Sequence, residues 1–119
     1  WTQDFKIKLS IARALIRNPK VLIIDDVFSH MDASSLIEFK EKFSFLAKSR
    51  TVMVVAKHLY NLNICNKLMF LDKNKVVQFG TTGQILKEEG PAQELLKQQL
   101  KVISPHFEKD LVSVLRGLE

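Results

Sequence analysis

Apolar residues recur along this chain in two rhythms, one helical and one of strand length. Phe5, Ile7, Leu9 and Ile11 alternate as a strand would, whereas Phe5, Leu9, Ala12 and Ile16 follow helical spacing. Ala12-Arg13-Ala14-Leu15 are strong helix formers, so the balance predicts a helix over about residues 5–17, stopped by Asn18-Pro19. Val21-Leu22-Ile23-Ile24 is an unbroken apolar run, the mark of a strand buried on both faces of a parallel sheet, and Asp25-Asp26 ends it. Ser35-Leu36-Ile37-Glu38 has the form of a capping box, and Leu36, Phe39, Phe43 and Leu46 make one apolar stripe on a helix of about three turns.

Thr51 to Ala56 predicts a second buried strand, and His58 to Cys65 a short helix. Lys67–Leu71 and Lys75–Phe79 read as two strands around an Asp72-Lys73-Asn74 turn. A short helix is expected over Thr82–Lys87. Gly90-Pro91 opens another, continued by Leu95, Leu96 and Leu100, since Pro suits the first turn of a helix. Phe107 to Leu118 is a last amphipathic segment. Helices alternating with apolar strands indicate an α/β fold: a mostly parallel sheet with helices on both faces and a small antiparallel hairpin.

Composition narrows the function. Of 119 residues, 46% are hydrophobic and 26% charged, which is globular composition. The apolar runs fall short of the roughly 20 residues that span a bilayer. The net charge of +5 comes from lysines mixed with glutamates, as in Lys40-Glu41-Lys42 and Lys87-Glu88-Glu89, the pattern of a solvated face rather than a nucleic-acid groove. The single Cys65 has no partner for an internal disulfide. Three scattered histidines and one cysteine do not suggest a zinc site. The opening Trp1-Thr2-Gln3-Asp4 lacks the basic start and apolar stretch of a secretory leader, and it reads as a cut inside a longer polypeptide.

Candidate chemistry gathers where the strands end. In open α/β sheets ligands bind at the carboxyl ends of the strands, and Asp25, Asp26 and His58 all follow apolar strands. A carboxylate fixed there can hold Mg²⁺, usually through water, and a second carboxylate can orient or deprotonate an attacking water. Apolar strands ending in Asp are also common as turns and helix caps. A neutral imidazole at His58 could hydrogen-bond a phosphate, although a lone histidine at a strand end is more often structural. His30 and His106 lack such a setting and read as surface residues.

Order makes these fragments specific. Leu9-Ser10-Ile11-Ala12-Arg13-Ala14-Leu15-Ile16-Arg17-Asn18-Pro19-Lys20 runs into Val21-Leu22-Ile23-Ile24-Asp25-Asp26, and Ser29-His30-Met31-Asp32 follows. Then come Thr51-Val52-Met53-Val54-Val55-Ala56-Lys57-His58 and Leu71-Asp72-Lys73-Asn74-Lys75-Val76-Val77-Gln78-Phe79-Gly80-Thr81. Over about Trp1 to Leu100 this series resembles the C-terminal half of the nucleotide-binding domain of ABC-type ATPases: helix, Walker B strand, D-loop, switch-histidine strand and hairpin. The resemblance implies a partial P-loop NTPase (RecA-like) core over residues 1–103, with 104–119 as an amphipathic tail. It also implies roles. Asp25 would bind Mg²⁺ through water, Asp26 would take the catalytic carboxylate's place, and His58 would contact the γ-phosphate. Asp32 would sit at a dimer interface. Trp1 to Phe5 align with the family's signature Leu-Ser-Gly-Gly-Gln, so Thr2, Gln3 and Asp4 would face ATP held by an opposite subunit.

The chain departs from the family in places that bear on activity. Of the signature only the hydroxyl survives, at Thr2; Gln3 and Asp4 stand where glycines would let the backbone approach a phosphate, and Asp4 adds negative charge there. Asp26 replaces the usual glutamate, a loss of about 1.5 Å of reach. Lys57 replaces a small hydroxyl residue before the histidine. No Gly-x-x-x-x-Gly-Lys-Ser/Thr loop occurs in the sequence, so ATP and Mg²⁺ binding would need an N-terminal half. The expectation is therefore an ATP-binding and ATP-hydrolysing subunit of a transporter, at the cytoplasmic face of a membrane, paired with a second nucleotide-binding domain and a transmembrane domain. The isolated chain is expected to be inactive. Two alternatives stay open: an impaired or regulatory half-site of an asymmetric dimer, and a soluble ABC-type ATPase acting on nucleic acid or the ribosome.

Overall fold

The computed structural model describes residues 1–118, which form two compact units, Trp1–Lys57 and His58 onward. The first is a helix followed by a β-α-β unit. Helix α1 (Gln3–Ile16) starts at Thr2, whose hydroxyl accepts the Phe5 N–H at 3.2 Å, and ends before Asn18, which takes the left-handed φ of 47°. Asparagine tolerates that conformation better than most residues, and Pro19 bars a further turn. The α1 reading of the mixed pattern over Phe5–Ile11 is thus the one that folds.

Strands β1 (Val21–Asp25) and β2 (Thr51–Val55) pair in parallel, in a register running from Val21 opposite Thr51 to Asp25 opposite Val55. Helix α2 (Ala33–Ala47) makes the crossover, buries Phe39 and Phe43, and sets Phe39 edge-on to Phe28 at 5.7 Å. Two expectations need correction here. Leu22 and Ile24 are buried, but Val21 is 55% and Ile23 64% exposed, and Met53 and Val55 on β2 are also exposed. The β1 run is therefore covered on one face only within the described residues, because successive side chains of a strand point to opposite faces. Nor does Ser35 cap α2. The cap is Asp32, three residues earlier, whose Oδ1 accepts the Ser35 N–H and the Ser34 hydroxyl, each at 2.8 Å. An ionised carboxylate at that position satisfies an otherwise orphaned N–H and meets the positive helix end.

The second unit opens with a 3₁₀ turn over Leu59–Ile64, then strands β3 (Lys67–Asp72) and β4 (Lys75–Thr81) form an antiparallel hairpin. Lys73 and Asn74 both have positive φ, 48° and 63°, the geometry of a two-residue turn that matches strand twist. Helices α3 (Thr82–Lys87), α4 (Pro91–Ile103) and α5 (Phe107–Arg116) follow, with α5 packed on α3 and α4. Leu59, Leu62, Leu68, Leu86, Leu96 and Leu100 are buried together in this unit. Polar groups are satisfied inside it: the Thr82 hydroxyl donates to the Cys65 carbonyl at 2.7 Å, and Gln78 Oε1 accepts the Ala92 N–H at the start of α4. Gly90 permits that cap, because a Cβ there would lie 2.9 Å from the Gln78 amide nitrogen.

Candidate functional site

Parallel pairing of β1 and β2 brings the carboxyl ends of two strands to one rim. Asp25 closes β1 and is solvent-exposed. Asp26 then leaves the strand with a left-handed φ of 47°, and its N–H donates to the Val55 carbonyl at 2.7 Å, so the turn is fastened to the end of β2. Such a conformation is unfavourable for a residue with a Cβ and persists where neighbouring bonds over-determine it. Here they do. The Ser29 hydroxyl donates to Asp26 Oδ1 at 2.8 Å, and the Lys57 ammonium lies 3.4 Å from Oδ2. The Asp26 side chain is only 19% exposed. The Ser29 hydrogen bond first, and the Lys57 charge after it, hold its carboxyl below the usual carboxylate range against the opposing effect of burial.

Other expected site residues fall into capping positions. Thr2 caps α1. Gln3 and Asp4 open that helix, and Asp4 pairs with Lys8 one turn on at 3.2 Å. The other Asp4 oxygen, Oδ1, is buried without a hydrogen-bond partner. Asp32 caps α2, and its hydrogen bond from the Ser35 backbone, with that from the Ser34 hydroxyl, lowers its pKa. Gln3, Lys6 and Ile7 of α1 share a groove of about 350 Å³ with Asp25, Val27 and His30. The structure thus brings Gln3 of the α1 start and Asp25 of the strand end to one depression, and places His30 beside them although its sequence setting gave no hint of this.

His58 begins the second unit, half-buried, with its ring stacked on Tyr60 at 5.3 Å. It precedes the 3₁₀ turn without a side-chain capping bond. Lys57 is the residue the sequence undervalued. It stood out only as a departure from a family pattern, while its charge, two residues beyond the end of β2, was the available signal that it could reach a carboxylate after β1.

As a donor set for a hard cation the rim is sparse. No group of three or more His, Cys, Asp or Glu side chains converges among the described residues. An exposed Asp25 carboxylate suits Mg²⁺, which keeps several waters and is commonly held by one or two carboxylates together with substrate phosphates. Its residues therefore fit a metal shared with a phosphate ligand.

Comparison with known proteins agrees on one group. No family model matches the chain. It is 34% identical over 94 residues to the ABC multidrug transporter MDR1 of Cryptococcus neoformans, covering 79% of this chain and 7% of that protein. Similarity to the human ABC-type oligopeptide transporter ABCB9 is 34% over 100 residues, 84% of this chain and 13% of the relative. The ATP-dependent lipid A-core flippase of Haemophilus ducreyi is 33% identical over 92 residues, 77% and 16% of the two chains. This chain thus spans a small part of the relatives it matches. In structure it resembles part of a bacterial Atm1-family ABC exporter solved with ATP bound, with a TM-score of 0.75 over 83% of this chain and 18% of that one, at 23% identity. That likeness shows the fold.

Proposed function

This chain belongs to the ABC transporters, of whose proteins it matches one segment, and on that premise we propose that it is part of the ATP-binding unit that drives transport. The observation that carries the proposal is the rim after β1. A parallel β-α-β unit ends in two adjacent carboxylates, and the second is hydrogen-bonded through its backbone to the neighbouring strand. Rigid strands fix such groups beside a phosphate at little entropic cost, which is where phosphoryl transfer needs them.

In this reading Asp25 would hold Mg²⁺, whose charge would offset that of the phosphates when bound. Asp26 accepts a hydrogen bond from the attacking water and orients it. Thr2, Gln3 and Asp4 face a nucleotide held by a second nucleotide-binding domain, Asp32 lies at that dimer contact, and His58 approaches the γ-phosphate. A transmembrane domain receives the resulting motion, with the unit at the cytoplasmic face of the membrane. The substrate-gripping loop comes from sequence outside these 119 residues, so the isolated chain has no micromolar, magnesium-dependent ATP affinity in calorimetry.

A second reading, an impaired half-site in an asymmetric dimer, is favoured by two observations: Asp26 is engaged by Lys57, and Asp4 sets a carboxylate at the start of α1. ATP turnover by the full-length polypeptide in its membrane complex tests both. Asp25→Asn is expected to abolish magnesium-dependent turnover at this site, and Asp26→Glu to raise a slow rate by about tenfold or more. Absence of ATP binding by the full-length protein at millimolar nucleotide would overturn the assignment. A wild-type rate that Asp26→Glu does not improve would remove the impaired-site reading alone.

A further inference from the structure

We propose that Lys57 is a positioning residue that clasps Asp26 and slows ATP turnover at this site, an inference that rests on Asp26 standing in the catalytic carboxylate's place. The clasp is built from three sides. The backbone N–H of Asp26 is tied to Val55, Oδ1 takes the Ser29 hydroxyl, and Oδ2 faces the Lys57 ammonium. A water approaching either carboxylate oxygen must displace or share a partner already in place. The left-handed turn at Asp26 gives the side chain little freedom to swing elsewhere, since its backbone is bonded on the same strand end that supplies Lys57.

The two partners are unequally placed, and this sets the size of the effect. The Asp26 side chain is 19% exposed, so its position is defined by the protein. Lys57 is 75% exposed, so water screens its charge and its hold is easily released. Exposed pairs of this sort are weak, which makes the clasp a brake of about threefold in rate and not a block. Ser29 is the stronger of the two partners by distance, but a neutral hydroxyl can rotate to share a water. The ammonium offers only donors and so competes with the water for the same oxygen.

The test uses the full-length polypeptide in its assembled complex, with the catalytic carboxylate of the opposite site removed. Lys57→Met, which keeps length and loses charge, is expected to raise kcat about threefold at unchanged KM for ATP. Lys57→Arg should restore the wild-type rate, and Lys57→Met placed on Asp26→Asn should give no gain. Raising ionic strength from about 0.05 M to about 0.5 M should speed the wild type towards Lys57→Met and leave Lys57→Met unmoved in comparison. Should Lys57→Met fail to fold, Lys57→Gln and the salt series carry the same test. An unchanged or lower kcat in the charge-free variants, with turnover still lost in Asp26→Asn, overturns the clasp and leaves the site assignment intact. Turnover indifferent to Asp26→Asn overturns both.

Discussion

The two units of this chain close their cores to different degrees. Within residues 58–118 the helices close a core around Leu86, 1% exposed, and the wholly buried Leu96 and Ala92, while the hairpin leaves Met69, Leu71, Val76, Val77 and Phe79 exposed. Within residues 1–57 the β1–β2 sheet covers Leu22 and Ile24 but leaves Val21, Ile23, Met53 and Val55 exposed. The polar chemistry of the two units differs by one feature. The described hydrogen bonds of the second unit serve its own helix starts and loops, as with Thr82 and Gln78. The first unit has such caps as well, at Thr2 and Asp32, and in addition holds Asp26 at a strand end through Ser29, Lys57 and the Val55 carbonyl. Helices packed round a closed core stabilise, whereas each two-stranded sheet leaves one row of apolar side chains bare, and in the first unit that sheet also carries the ordered rim.

Paired substitutions can break this contrast. The largest effect is expected from Leu96→Ala, which should destabilise the second unit by about 3 kcal/mol, because a wholly buried side chain leaves a cavity. Urea unfolding with hydrogen exchange of α4 measures it. Its counterpart Ile23→Thr, on the open face of β1, should change stability by no more than about 0.5 kcal/mol. A loss at Ile23 as large as that at Leu96 would mean the sheet face is covered after all.

Next in size, Thr82→Val leaves the Cys65 carbonyl without its donor and should cost about 1–2 kcal/mol. In the first unit Asp32→Ala removes the α2 cap and should lower stability by less than Thr82→Val does, read by the same unfolding assay. Glu38→Gln sharpens this, since the capping-box reading made Glu38 part of the cap and the structure pairs it with Lys8 and Lys42 instead. Its effect should be smaller than that of Asp32→Ala, because water screens exposed ion pairs.

Smallest and most diffuse is the response to acid. The Asp32 pKa is lowered in the folded chain by the Ser35 and Ser34 hydrogen bonds, and that of Glu38 by Lys42 and Lys8. A folded-state pKa below the unfolded one means the stabilisation is present above the unfolded value, near pH 4, and is lost as pH falls through the folded value. The first unit should therefore loosen below about pH 4, seen as faster hydrogen exchange in α2. Asp32→Asn should blunt that change.

Much of this architecture was legible before folding was considered. The apolar runs at Val21–Ile24 and Val52–Val55 specify strands because short runs rich in β-branched side chains fit a pleated surface. Gly90-Pro91 and the Lys73-Asn74 turn are set by backbone preference alone, since proline fixes its own φ and asparagine accepts a positive one. The adjacent carboxylates at a strand end were visible too, because strand and motif share the same few residues. Long-range proximity was not legible. That Lys57 sits against Asp26 follows from a parallel register joining residues some thirty apart in sequence, and no local pattern encodes a register. The α2 cap went to Asp32 and not Ser35 because the Asp32 carboxylate accepts both the Ser35 N–H and the Ser34 hydroxyl, while Ser35 is buried in the helix's first turn. Sequence alone thus determined the order of the elements and the chemistry at their ends. Tertiary structure decided which of those ends meet and which face of the sheet stays bare, because side chains far apart in the chain interact only once the backbone has brought them within a few ångströms.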